Sequence, residues 1–334
     1  MRWPTPLTDR AVVWTLSSAS ANGSTTFPDI IGTLRSSLSH AIAHGGDGAA
    51  FLVYHNGHID CSLLSQQCAC EELAAPPRMA TDCTCAERSL RPGRLYTVRM
   101  QLDGRAGAIL HEVVRCINSR GGGRVDLTSS SAHLGNNFRI VLAAHVLSLG
   151  LRKALYLDCD TRVHAPLGPL FAAADDAPLV VANQSATSHD WGFTFWTYNS
   201  RNPRNDAQLR ARRRQFGFVD VGTQTFNAGV LMMNTRQWCE ARLTQRLLSV
   251  ARYHADSAPL FGPSGNQPLL ELAVVGHAHR VEPAWNCRVH RADPRSCKIS
   301  HLVARSRMQQ ERKPHAILVR SSGVDAEAIF GRRQ

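Results

Sequence analysis

The chain contains no apolar run approaching the eighteen or so residues that a spanning helix needs. Its opening ten residues, MRWPTPLTDR, lack the charged-then-apolar pattern of a leader. As given it is expected to be soluble with no membrane span, and a catalytic domain cut from a longer anchored or secreted parent would read the same way, so the compartment stays open. No fixed-period repeat and no tract of low hydrophobicity occurs, which excludes solenoid and disordered architectures. Charge is scarce, at 19% of the 334 residues, whereas hydrophobic residues reach 43%, enough for a sizeable core. A Gly-x-x-x-x-Gly-Lys-Ser/Thr phosphate loop, a His-Glu-x-x-His helix and a nucleophile elbow are all missing, so the chemistries those motifs carry are set aside.

Acidic residues are outnumbered, 26 against 38 basic ones, and the net charge of +12 sets up a positive field. Such a field favours nucleic acid, an anionic membrane or a phosphate-bearing small substrate, and its sign alone does not choose among them. The densest run, Arg210, Arg212, Arg213 and Arg214, reads first as a solvated face and second as a binding patch.

Cysteine, by contrast, is plentiful. Five of the ten (Cys61, Cys68, Cys70, Cys83 and Cys85) fall in one stretch. The insertion spanning about 61–92 is polar and has little to bury, so it needs a staple and belongs on the surface. Disulfides in an oxidising compartment or one structural zinc ion on Cys68, Cys70, Cys83 and Cys85 would both serve; the Cys-x-Cys spacing is tighter than the usual zinc-ligand gap and favours disulfides. Cys287 and Cys297 are a further candidate bridge.

Strand and helix patterns alternate. Ala11–Leu16, Phe51–Tyr54 and Leu95–Val98 are short apolar runs that predict buried strands. Ile31, Leu34, Leu38 and Ile42 recur at helical spacing within 30–43, so the first two strands flank a helix. Asn136–Leu149 puts Phe138, Leu142, His145 and Leu149 on one helical face, and Gly150 closes it as a C-terminal cap. The pattern predicts an α/β fold, a mostly parallel sheet flanked by helices, with ligands at the carboxyl ends of the strands.

Lys153–Leu157 is such a strand, and it ends in Asp158-Cys159-Asp160. Two carboxylates one residue apart repel each other, and a hard divalent cation relieves the repulsion while completing its oxygen shell from phosphates and water. A lone Asp-x-Asp would be weak, since loops favour Asp for turn-forming reasons; its place directly after an apolar strand strengthens it. Phe226–Met233 is a second apolar strand, in which Ala228 and Gly229 leave room for a ligand's ring near the backbone and Asn227 supplies donors and an acceptor. A core strand with an incidental Asn fits those residues equally well.

Lys153-Ala-Leu-Tyr-Leu-Asp-Cys-Asp-Thr-Arg-Val with Pro166-Leu167 and Leu170-Phe171, and then Phe226-Asn-Ala-Gly-Val-Leu-Met-Met-Asn234 with Trp238, resemble the two core signatures of family 8 glycosyltransferases. The resemblance covers about 12–301 and implies one GT-A domain over 1–334, its core about 11–301, with a C-terminal extension 302–334. It implies a retaining transferase that takes a hexose from a nucleoside diphosphate sugar, a UDP-sugar in the first instance, with Mn²⁺ or Mg²⁺, and delivers it to a hydroxyl on a glycan, protein or lipid; nucleic acid is not an expected partner. Asp158 and Asp160 would hold the ion, joined by a His near the end of the domain. His301, in Cys297-Lys-Ile-Ser-His301 soon after the family's Trp-Asn landmark at Trp285-Asn286, is the choice for that place over Arg320 of the later Arg320-Ser-Ser-Gly323, although Ala304 stands where the family has Gly. Arg139 would reach the diphosphate, and Asn227, Gln267 and Asn266 would handle the transferred sugar, Asn266 standing where the family usually has Asp. The loop Ser17–Asn22 lacks the Asp that the family keeps near the nucleotide. His189-Asp190-Trp191 and Trp196 lie where an acceptor-facing loop is expected, or in the core. An inactive relative serving as a basic polyanion- or sugar-binding module is the alternative, and steep loss of binding with salt would mark it. A nucleotidyltransferase would use the paired carboxylates but leaves Asn227 to Gly229 and Gln267 unexplained.

Overall fold

The computed structural model describes residues 8–16, 27–45, 48–56, 59, 61, 64, 68–73, 90–100, 104–118, 131–183, 226–256, 266–288 and 296–301. Within them, strand β1 (Arg10–Leu16), helix α1 (Phe27–Gly45) and strand β2 (Ala49–His55) form the first unit. Strands β3 (Cys70–Leu73) and β4 (Leu95–Arg99) follow, then helices α2 (Gly104–Asn118) and α3 (Ser131–Ser148). Next come β5 (Lys153–Leu157), β6 (Thr161–Val163), α4 (Gly168–Ala173), β7 (Leu179–Asn183) and β8 (Phe226–Asn234). Helices α5 (Thr235–Glu240), α6 (Leu243–Asp256) and α7 (Gln267–Ala273) precede β9 (Ala278–Val281), a 3-10 turn at Pro283–Asn286, β10 (Cys287–Arg288) and β11 (Ile299–His301).

The main sheet has the order β3-β4-β2-β1-β5-β8-β7-β9, and a small sheet has the order β10-β11-β6. Every main-sheet pairing is parallel except those of β8, which runs antiparallel to both β5 and β7. That one reversal matters for the site. It brings the amino end of β8 to the same edge as the carboxyl end of β5, with Leu157 opposite Val230 and the Asp158 N–H donating to the Gly229 carbonyl at 2.8 Å.

The central strands are buried on both faces, which is why they read as continuous apolar runs rather than as alternations. The pleat still sorts their side chains. Ala11 and Val13 join the core beneath α2, α3, α6 and α7, whereas Val12, Trp14 and Leu16 join the core beneath α1 and α4. Phe138, Leu142 and Leu149 are buried as the helical spacing predicts, and Gly150, at φ 82°, takes the left-handed conformation that ends α3.

His145, on the same face of α3, is 2% exposed, and its Nε2 has no hydrogen-bond partner among the described residues. It packs 4.9 Å from the Phe138 ring and 6.2 Å from the Tyr54 ring, centroid to centroid. Burial lowers its pKa to about 4 from 6.5, so the folded protein keeps it neutral while the unfolded chain takes up a proton below pH 6.5. Stability is therefore full above pH 6.5 and falls progressively towards pH 4, by about 3 kcal/mol from this residue at the limit. Urea unfolding at pH 7 and pH 4.5 should show a smaller loss in His145→Leu than in the parent; equal losses would remove His145 from the account.

In the cysteine-rich stretch the structure decides between the two staples in favour of the disulfide that the tight Cys-x-Cys spacing favoured. Cys70 bonds to Cys61 with their Cα atoms 5.6 Å apart, so it is not available as a zinc thiolate, and Cys83 and Cys85 lie outside the described residues. The zinc alternative at Cys68, Cys70, Cys83 and Cys85 is thereby corrected to a disulfide at Cys61–Cys70. The stretch is also not wholly peripheral, since β3 pairs with β4 from Cys70↔Leu95 to Leu73↔Val98 and forms the sheet's edge. Cys287 and Cys297 are bonded as the sequence suggested.

Candidate active site

Asp158 leaves β5 into a tight turn. Its carbonyl accepts from the Thr161 N–H at 3.1 Å and from the Thr161 hydroxyl at 2.8 Å, which folds Asp158 and Asp160 back beside each other. Cys159 between them faces inward, its Sγ–H 3.6 Å from the Thr15 carbonyl, and packs on the core beneath α1. Asp158 is held from below. The Tyr156 hydroxyl donates to Asp158 Oδ1 at 2.6 Å, and Arg139 Nη1 lies 3.8 Å from the same oxygen. Burial, and then the neighbouring carboxylate, push the Tyr156 phenol well above its ordinary pKa, so it remains a donor at neutral pH.

His301 arrives through the small sheet, where β11 pairs antiparallel with β6 and sets His301 opposite Thr161. Its Nε2 is 3.2 Å from Asp160 Oδ1 and 3.5 Å from Asp158 Oδ2. Its Nδ1 is 3.2 Å from Asn286 Oδ1, and the Asn286 amide donates in turn to the Asn227 carbonyl at 2.9 Å. Because Asn286 must use its NH₂ on Asn227, it presents an oxygen to His301. Nδ1 then carries a proton, which leaves Nε2, the nitrogen facing the carboxylates, as the one that can offer a lone pair to a cation. One ligand atom from each of Asp158, Asp160 and His301 lies within 4.8 Å of the others, an oxygen-and-nitrogen donor set that fits a divalent cation. The hydrogen bond behind the imidazole is the outer support that metal-binding histidines usually have.

Gly229 sits against this group. A Cβ there would lie 2.2 Å from His301 Cε1 and 2.7 Å from both Asp158 Oδ2 and His301 Nδ1. A side chain at position 229 would thus run into the chain's own His301 and Asp158, and Ala228 beside it is fully buried.

The remaining expected residues also meet at this edge, largely through one another. Arg139, 6% exposed, donates through Nη1 to the Ala228 carbonyl at 2.6 Å, through Nη2 to Asn266 Oδ1 at 3.0 Å and through Nε to the Asn136 carbonyl at 2.9 Å. Its guanidinium therefore knits α3, β8 and the start of α7 together, at the edge where the family resemblance implies contact with a diphosphate. Asn266 is equally buried, and its Nδ2 donates to the Asn136 carbonyl and, at 3.1 Å, to Asn137 Oδ1. Both partners are acceptors, which a carboxylate could not satisfy, and this accounts for an amide where the family usually has an acid. Gln267 docks on β8 like a peptide group, Nε2 donating to the Phe226 carbonyl at 3.0 Å and Oε1 accepting from the Ala228 N–H at 3.3 Å. Asn227 Oδ1 accepts from the Gly229 N–H at 2.7 Å.

The sequence profile of glycosyl transferase family 8 matches residues 125–312, which contain every residue of this constellation. The chain belongs to that family. Among curated relatives, General stress protein A of Bacillus subtilis (strain 168) is 20% identical over 153 residues, 46% of this chain and 45% of its own, so the chain spans less than half of that relative's length. Among solved structures, the bifunctional glycosyltransferase WbbM aligns at a TM-score of 0.51 with 10% identity, over 90% of this chain and 47% of its own. Mouse xyloside xylosyltransferase 1 aligns at 0.49 with 14% identity, over 89% of this chain and 98% of its own. At 10% identity the likeness to WbbM is one of fold, and the mixed sheet with its reversed β8 is the GT-A fold of a family 8 glycosyltransferase.

Three supports of the family 8 site went unassigned by sequence: Tyr156, Asn286 and Thr161. Asn286 was visible only as part of a Trp-Asn landmark, and Tyr156 as one more apolar strand residue. Ser17–Asn22, Arg210–Arg214, the tryptophans Trp191 and Trp196 with His189 and Asp190, Ala304, Arg320 and Gly323 lie outside the described residues.

Proposed function

We propose that the chain is a metal-dependent, retaining hexosyltransferase that draws on a UDP-sugar and delivers the sugar to a hydroxyl acceptor, with Asp158, Asp160 and His301 as the metal ligands. The observation that carries this reading is the convergence of two carboxylates and an oriented imidazole at the carboxyl edge of a family 8 fold. One nitrogen among oxygen ligands suits Mn²⁺ better than Mg²⁺, which demands a near-ideal shell of oxygens. A divalent ion there supplies Lewis-acid stabilisation of the charge that develops on the leaving diphosphate. Arg139 acts through Ala228, Asn266 and Asp158, placing a fixed positive charge behind the site. Gln267 keeps the amino end of β8 in register, and Asn227, its Oδ1 held by Gly229, offers its amide N–H to a sugar hydroxyl. Retention, which the family resemblance implies, corresponds to attack from the face that the leaving group departs.

Calorimetry with UDP tests the reading directly. Binding is expected in Mn²⁺ and is expected to vanish with chelator. Absence of UDP binding in Mn²⁺ would move the reading to another nucleotide or to a binding module without turnover.

A further inference from the structure

We infer that Tyr156 is a positioning residue of the metal centre: its hydroxyl, together with the Arg139 guanidinium, holds Asp158 Oδ1 so that Oδ2 faces the cation beside His301. The inference rests on the reading of Asp158 and His301 as ligands.

Tyr156 and Asp158 are two apart on one strand and its extension, so their side chains leave the same face and the hydroxyl meets the carboxylate at 2.6 Å. The ring cannot swing away. It is 1% exposed, lies 5.3 Å beneath the Arg139 guanidinium, and its oxygen is 3.3 Å from the Thr15 hydroxyl, which is itself 3.0 Å from the Gly135 carbonyl. The two oxygens of Asp158 therefore differ. Oδ1 is engaged by a phenol and flanked by Arg139 at 3.8 Å, while Oδ2 stands 3.5 Å from the imidazole nitrogen. A carboxylate fixed in this way presents one oxygen in one direction, and the ion does not have to order it on binding. Among the described residues Asp160 has no such hydrogen-bonded support; there it meets only the other two members of the group, with His301 Nε2 at 3.2 Å. Asp158 is thus the pre-oriented ligand of the pair. The Asp158–Arg139 contact alone is too long for a hydrogen bond, so without the phenol Oδ1 would be steered only by charge.

The competing account makes Tyr156 a core residue whose hydroxyl happens to find the nearest acceptor. Mn²⁺ titration of the purified chain by calorimetry, without nucleotide, separates the two. Tyr156→Phe keeps the ring and removes the donor; it is expected to weaken Mn²⁺ roughly tenfold, the lower end of the effect of losing an outer-shell partner, with thermal unfolding in chelator unchanged. A parent that binds no Mn²⁺ would overturn the metal reading and this inference with it. A parent that binds, with a variant within twofold of it, would overturn the inference and leave the metal reading standing. Weaker Mn²⁺ binding matched by equal destabilisation in chelator would assign Tyr156 to the core and overturn it as well. Where the variant does not fold, ¹³Cζ-tyrosine spectra of the parent serve instead: among its five tyrosines, the Tyr156 resonance is expected to move on adding Mg²⁺, and an unmoved one overturns the inference.

Discussion

Asp158→Asn should lower kcat/KM by three to four orders of magnitude, about 4–5.5 kcal/mol of transition-state stabilisation. The substitution preserves shape and removes charge, and the charge serves on both sides of the residue. Towards the site, Oδ2 faces the His301 imidazole at 3.5 Å, and a neutral amide there is a poor ligand for a hard cation. Towards the core, Oδ1 accepts from Tyr156 and balances Arg139, whose side chain is 8% exposed. An Asn can keep the Tyr156 hydrogen bond through its carbonyl oxygen, so the fold is expected to survive while Mn²⁺ affinity collapses. The measurement is turnover of a UDP-sugar against Mn²⁺ concentration, with circular dichroism as the check on folding. A variant that kept a tenth of the parental kcat/KM would show that Asp158 is not a ligand on which the reaction depends.

The parts of this site that the sequence made legible are those where a continuous apolar run adjoins a chemical residue. Lys153–Leu157, which runs into Asp158, and Phe226–Met233, which carries Asn227 near its start, both came out as strands in the expected places. Helix α3 was readable from four apolar positions and one glycine. Strand β3, Cys-Glu-Glu-Leu, was not, because its side chains are half-buried or exposed and its pairing with β4 is set by a parallel neighbour distant in sequence. His301 was singled out by its place after the Trp-Asn landmark, but what carries it to the carboxylates is β11, a strand of three residues paired with another of three. Segments that short carry no period. The buried polar net of Arg139, Asn136, Asn137 and Asn266 joins positions more than a hundred residues apart, and the family resemblance had implied ligand contacts for two of its members, Arg139 and Asn266. Composition reported that donors and acceptors were present; only the fold decided that they face one another.

Gly229→Ala should be nearly as damaging as loss of a ligand, although it deletes nothing. Its added methyl would fall 2.2 Å from His301 Cε1 and 2.7 Å from Asp158 Oδ2, distances no side chain tolerates, so something must move. Neither neighbour is free to do so cheaply. His301 is tied to Asn286 and paired through β11 with β6, and Asp158 is tied to Tyr156 and to the turn that ends at Thr161. The β8 backbone cannot retreat without breaking the Asp158 N–H to Gly229 carbonyl contact and the Asn227 contact to the Gly229 N–H. The least costly relief is to push the imidazole out of line, which spoils the donor set while leaving the cores intact. Mn²⁺ affinity and kcat/KM are each expected to fall at least a hundredfold, with a stability loss of about 1–3 kcal/mol from overpacking. Gly32→Ala on α1, where nothing lies within 4 Å of the new methyl, is the matched control and should leave both readings at parental values. If Gly229→Ala bound Mn²⁺ as the parent does, His301 could not be standing where its Nε2 meets Asp158 and Asp160. If it lost the metal while keeping the fold, glycine at this position would be required by the approach of the chain's own ligands rather than by the backbone or by the sugar.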